Sequence, residues 1–388
     1  MAVRGWGGSV ATAIGAAAGA GAAQLGLGYG LGIIVWLPSS DGASESTWVA
    51  GLAWALWIAA TSTVAGAICA DRLASPLPTV ADRDQPYSPV PLAAVLGRIA
   101  LAVAAAIGAL VTVALVAVPA RAATRADTFS PQTIAAGYAV LGVLLGLAFA
   151  IWALSSRAVA RNVIATVCWL WLLAVVAVVD GVLSGRGLTA AQLGVWQITT
   201  DGERFWFRNH FYWPGAALSL GSALVIGALA ARPAARHSYT RVGAAISGGV
   251  GPLLVAAAYF LAAPRLVGIR AEQLSAHLMA PYAVIAGLTG SVVAAALAQR
   301  AEGPPDRRGP TARTSEPAAP PGATWRPVPQ GRPAQPADGA GDTGTGRVIA
   351  QPGATIPPRP EANPGPVRAA GKPPHADRPE PTSKGSTS

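Results

Sequence analysis

Long apolar runs punctuated by short clusters of arginine set the rhythm of the chain from about Ser9 to Ala298. A helix needs about 20 mostly apolar residues to cross a bilayer, and runs of about that length fall at 9–37, 48–70, 99–119, 133–154, 163–182, 215–231, 242–262 and 279–298. The pattern predicts an all-α integral membrane protein of about eight transmembrane helices, in a polytopic membrane domain over 1–300. The first run continues through Leu25 to Trp36, which makes it a span rather than a cleavable leader. Glycines at four-residue spacing, Gly15 with Gly19 and Gly28 with Gly32, predict close helix approach and a first span buried among its neighbours.

One stretch departs from this pattern. Val195 to Arg208 alternates in the manner of a strand, and Asp201-Gly202 at its centre suits the positive φ angles of a tight hairpin turn. That turn pairs Ile198 with Phe205 and Gln197 with Trp206, setting an apolar face of Trp196, Ile198, Phe205 and Phe207 against a face carrying Arg204, Trp206 and Arg208. The reading is a small external β-hairpin in an aromatic loop over 184–213, with Phe211-Tyr212-Trp213-Pro214 as an anchor at the membrane boundary.

Arginines give sidedness. Nine fall at inner connections, counting Arg4, and seven at outer ones. This bias puts both termini in the cytoplasm and the protein in the cytoplasmic membrane. The motif Arg125-Ala126-Asp127, then Tyr138-Ala139-Val140-Leu141, then Ala153-Leu154 returns as Arg270-Ala271-Glu272, Tyr282-Ala283-Val284-Ile285 and Ala296-Leu297. Two explanations are open: a four-plus-four tandem repeat, a device common in transporters, or helices alike by composition alone.

Beyond Ala301 the composition turns to Pro, Gly, Ala, Thr and charge, with Trp325 the only aromatic. Residues 301–388 cannot bury enough apolar surface to offset chain entropy, and the expectation is a disordered Pro-rich cytoplasmic tail. Pro317 to Pro320, Pro333 to Pro336 and Ile356-Pro357-Pro358-Arg359-Pro360 suit either a solvated tether or a docking peptide for a cytoplasmic partner.

Composition agrees with lipid as the main solvent: 52% of residues are hydrophobic and 12% charged, where soluble proteins carry about 25% charged residues. Formal net charge is +10, the basic residues nearly all arginine, and those before the tail sit between apolar runs, where membrane topology rather than nucleic acid accounts for them. The Ala, Gly, Pro and Arg excess resembles multi-pass proteins of high-GC Gram-positive bacteria, a compositional likeness that carries no function. Cys69 and Cys168 lie in apolar runs without metal-ligand spacing.

Phosphate-loop, zinc-peptidase and serine-hydrolase signatures are lacking, and no cofactor or metal is expected. Ionisable residues near mid-membrane, the usual mark of ion coupling, are absent from the sequence of the spans. Candidate intramembrane polar contacts are Gln24, Tyr138 and Tyr282, and His277 at a span edge reads as a satisfied or solvated side chain. The candidate contact for an anionic lipid headgroup or envelope polymer is Arg204, Trp206 and Arg208, with a structural plug over the helix ends as the alternative. These features favour a non-enzymatic membrane platform or envelope-associated interaction protein. A permease or lipid-translocating protein comes second, and an outer-surface enzyme on lipid-linked substrates third.

Overall fold

A computed structural model describes residues 5–36, 44–74, 92–124, 129–185, 192–195, 205–206, 210–263 and 269–301. The Pro-rich tail and the Asp201-Gly202 turn lie outside the described residues. Among the described residues eight helical segments are long and apolar enough to cross a membrane, a predominantly helical multi-pass architecture.

Helix α1 is Trp6–Gly30 and α2 Ser44–Ala74. The first span is not the buried one: 22% of its apolar window is buried, against 89% for α2. Its packing stripe is Ser9, Ala13, Ala17, Gly21 and Leu25, a four-residue period offset from the one expected. Gly15 and Gly19 lie on the outer surface with nothing near them, because the run is apolar all round and glycine spacing alone does not choose the face. Nor does α1 reach Leu37. Gly32 takes φ 66°, a conformation that glycine adopts without steric cost, and the N–H groups of Ile33 and Ile34 donate back to Gly28 O at 2.8 and 3.2 Å. The chain thereby reverses, and Trp36 meets Trp48 edge-on with ring centroids 5.2 Å apart.

Helices α3 (Leu92–Ala120) and α4 (Pro131–Ser155) close the first half around α2. Backbones touch wherever a side chain is missing: a β-carbon at Gly108 would overlap the Ile14 carbonyl, and one at Gly142 or Gly146 the carbonyls of Leu56 or Ala60. Ser156 alone, in extended conformation, joins α4 to α5 (Arg157–Leu183), and its hydroxyl caps α5 by accepting from Val159 N.

Strand β1 (Phe205–Trp206) pairs antiparallel with β2 (Phe211–Tyr212), Phe205 opposite Tyr212 and Trp206 opposite Phe211. The expected partners Ile198 and Gln197 lie outside the described residues. Phe211 and Tyr212, the first two residues of the aromatic segment expected at the membrane boundary, form a strand, as their β-prone side chains allow. Tyr212 leads directly into α6 (Trp213–Ala235), whose first turn holds Pro214.

The seventh span is not continuous. It comprises a 3-10 turn Ser238–Thr240, α7 (Arg241–Ile246), a second 3-10 turn Ser247–Gly249, and α8 (Val250–Ala262). Two features of the sequence explain the interruption. Gly248 and Gly249 are poor helix formers, and Pro252 has no N–H to offer Gly248, four residues earlier. Helix α9 (Ala271–Ala301) packs on α6 through a glycine seam, Gly227 on Gly287 and Gly290 on the Leu224 carbonyl.

Candidate functional cleft

Three polar constellations stand out within the apolar bundle. The first is built on Gln24. Its Oε1 accepts from Trp171 Nε1 at 2.9 Å and Thr61 Oγ1 at 3.2 Å, and its Nε2 donates to Ser62 Oγ at 3.2 Å and Ala20 O at 3.3 Å. The amide therefore ties α1, α2 and α5 together with all of its major capacity used. Tyr138 is half-buried with no hydrogen-bond partner among the described residues, and Tyr282 is 56% exposed on the surface of α9. The structure does not bring the three together.

The second constellation repairs the break in the seventh span. Asn162, 0% exposed, donates from Nδ2 to Gly248 O at 3.2 Å and accepts from Gly251 N at 2.7 Å. Ser291 Oγ accepts from Gly248 N at 3.2 Å and donates to Ala245 O. Backbone groups freed inside an apolar bundle need such partners, and here they come from α5 and α9. His277 is the third: 1% exposed, with Nδ1 2.8 Å from Gln273 O and Nε2 3.0 Å from Tyr259 O. It is a packed side chain rather than a solvated one, and because both oxygens are acceptors a neutral imidazole donates to only one of them.

Between α5, α6, α8 and α9 the packing opens into a cleft of about 740 Å³ when the open space at its mouth is counted. Small residues create it. Gly215, Ala216, Ser219 and Ala223 face it from α6, and Ala276, Ala280 and Ala283 from α9, at spacings that place each set on one helix face. Leu170, Val255 and Met279 add apolar wall, and Trp169, Tyr212 and Tyr259 contribute rings. One end lies at the ribbon, where Tyr212 N donates to Ser275 Oγ at 2.8 Å. The other reaches the helix break, where Thr166 and Pro252 face it.

Residues 192–195 are part of this wall. Leu193 is 1% exposed, Tyr259 donates its hydroxyl to the Leu193 carbonyl, and Gly194 sits at φ 68° against Tyr259 and Leu170. The loop expected to be wholly external therefore inserts a segment among the helices.

Most polar atoms of the lining are spent on the protein itself. Thr166 Oγ1 donates to Asn162 O at 2.9 Å and Ser222 Oγ to Ser219 O at 3.1 Å. Three are not: the Glu272 carboxylate and the Ser219 hydroxyl have no partner among the described residues, and Trp169 Nε1 is buried without a hydrogen bond. Glu272, in the first turn of α9 at the ribbon end, is the single charged residue facing the cleft among the described residues. No group of three or more His, Cys, Asp or Glu suited to a metal occurs among the described residues.

Sequence reasoning missed Asn162, Ser291, Trp169 and the cleft role of Glu272. Only the break carried a signal, Ser247-Gly248-Gly249 followed by Pro252 inside an apolar run. Arg204 and Arg208 lie outside the described residues, and of Trp206 only the backbone pairing is described. No protein-family profile, curated protein or solved structure matches the chain.

Proposed function

We propose that this protein is a non-enzymatic platform of the cytoplasmic membrane whose second half receives a hydrophobic, membrane-dissolved ligand. The observation that carries the reading is the cleft of the second half and its lining. Glycine-mediated backbone contacts close α1 to α4, whereas α5, α6, α8 and α9 leave a cleft with apolar and aromatic walls and few free polar groups. Such a composition is that of small-molecule sites generally.

The two halves are a four-plus-four duplication in this account. Gly146, eight residues after Tyr138, meets the Ala60 carbonyl of α2, and Gly290, eight residues after Tyr282, meets the Leu224 carbonyl of α6. Both termini are cytoplasmic, the ribbon faces outward with Arg204, Trp206 and Arg208 toward anionic headgroups or polymer, and the tail tethers a cytoplasmic partner. A transport reading is favoured by one feature, the interrupted seventh span at the deep end of the cleft, as broken helices line sites in many transporters.

Photolabelling tests the proposal. A diazirine-bearing alkyl probe added to the protein in nanodiscs should label peptides containing Trp169 and Met279 saturably, and Ala223→Trp or Ala280→Trp should abolish that labelling with gel-filtration behaviour unchanged. Labelling that stays uniform along the apolar surface, or survives both substitutions, would refute it.

A further inference from the structure

Resting on the reading of the cleft as a ligand site, we infer that its ligand is a lipophilic organic cation, an apolar body bearing an ammonium or equivalent charge. Electrostatics selects the sign. Among the described residues Glu272 is the single charged one in the lining, and none of them gives it an ion-pair or hydrogen-bond partner. A carboxylate at the mouth of an apolar cleft attracts a cation more strongly than it would in water, because the low-dielectric walls screen it poorly. An anion there meets repulsion, and no described residue of the lining is basic.

The walls suit the rest of such a molecule. Tyr212 and Tyr259, 7% and 4% exposed, and the indole of Trp169 surround the space with π faces and edges, and aromatic rings are the side chains that hold desolvated organic cations. The alanines at 216, 223, 276, 280 and 283 leave room for bulk rather than for a bare ion. A small hydrated metal cation is disfavoured, since one carboxylate among apolar side chains cannot replace a shell of six or more oxygens. The same cation chemistry belongs to a free lipophilic amine and to the amine headgroup of a membrane lipid.

Two probes of one shape and opposite charge separate the questions. Tetraphenylphosphonium and tetraphenylborate are measured by equilibrium dialysis against the full chain in uncharged maltoside micelles, with protein-free micelles as the baseline. Saturable binding of the phosphonium is expected, lost in Ala280→Trp, at least about tenfold weaker in Glu272→Gln and restored in Glu272→Asp, a tenfold change being about 1.4 kcal/mol. Equal binding of the borate, or Glu272→Gln binding the phosphonium as tightly as the parent, would overturn the cation inference while leaving the ligand cleft standing. Failure of both probes to bind above the baseline overturns both. Adding phosphatidylethanolamine to the micelles identifies the source: competition points to a lipid amine, and its absence to a free cation.

Discussion

Asn162 closes a gap that Pro252 opens. The proline cannot donate to Gly248 O, and the Asn162 amide does so at 3.2 Å while its oxygen accepts from Gly251 N at 2.7 Å. One side chain of α5 thus substitutes for a turn of helix in the seventh span. The consequence is a span held in two pieces by hydrogen bonds from its neighbours.

Asn162→Leu should therefore leave two buried backbone groups without partners, at a cost of about 1–3 kcal/mol each before relaxation. Hydrogen bonds within membrane proteins deliver less on average, about 0.6 kcal/mol, so the expected net loss is about 1–2 kcal/mol. In a Pro252→Ala background the new N–H can serve Gly248, and the same substitution should cost less. A double-mutant cycle by detergent-induced unfolding is predicted to give a coupling of at least about 0.5 kcal/mol; additive losses would mean that Asn162 is not replacing the missing backbone bond.

Position decides what a glycine contributes. Gly108→Leu and Gly146→Leu would drive a side chain into the carbonyls of Ile14 and Ala60, and overpacking of this kind costs about 1–3 kcal/mol or more. Gly15→Leu and Gly19→Leu meet open space and should change stability by no more than about 0.5 kcal/mol. Thermal stability read by size-exclusion chromatography of the four variants checks the contrast.

Gln24→Leu removes the acceptor of Trp171 and the partner of Thr61 and Ser62. A loss of about 1–2 kcal/mol is expected, with a blue shift of indole emission as Trp171 loses its hydrogen bond. Gln24→Glu keeps the acceptor for Trp171 but removes the donor to Ser62, and should fall between the parent and Leu. Stability unchanged in Gln24→Leu would mean that the network carries no interhelical energy.

Charge reversal at Arg204 and Arg208 tests the proposed envelope contact. The doubly substituted protein should associate less with anionic vesicles, by about 1 kcal/mol for each basic residue near the surface, with thermal stability unchanged. Unaltered vesicle binding would leave the ribbon as a cover for the helix ends.

The helical membrane class was legible because run length against bilayer thickness is a one-dimensional property, and all eight apolar runs became helical spans. Faces and endpoints were less so. An all-apolar helix such as α1 has no polar side to mark which stripe packs, so Gly15 and Gly19 drew notice while Ala13, Ala17 and Gly21 make the contact. Gly32 hid a chain reversal inside an unbroken hydrophobic run. The pairing of Phe205 with Tyr212 was not legible, because Asp201-Gly202 gives the stronger local turn signal and points to the upstream side. Least legible was the cleft, since it consists of volume that Gly, Ala and Ser leave unfilled when four helices meet, and an absent side chain carries no sign of whether a neighbour occupies its place.

The central claim is that the second half encloses room for a ligand. A density map of the protein in lipid nanodiscs tests this most directly. Non-protein density is predicted between α5, α6, α8 and α9, bounded by Trp169, Ala223 and Ala280 and ending near Glu272. Helices α6 and α9 closed onto α5 with side chains filling that space would contradict it.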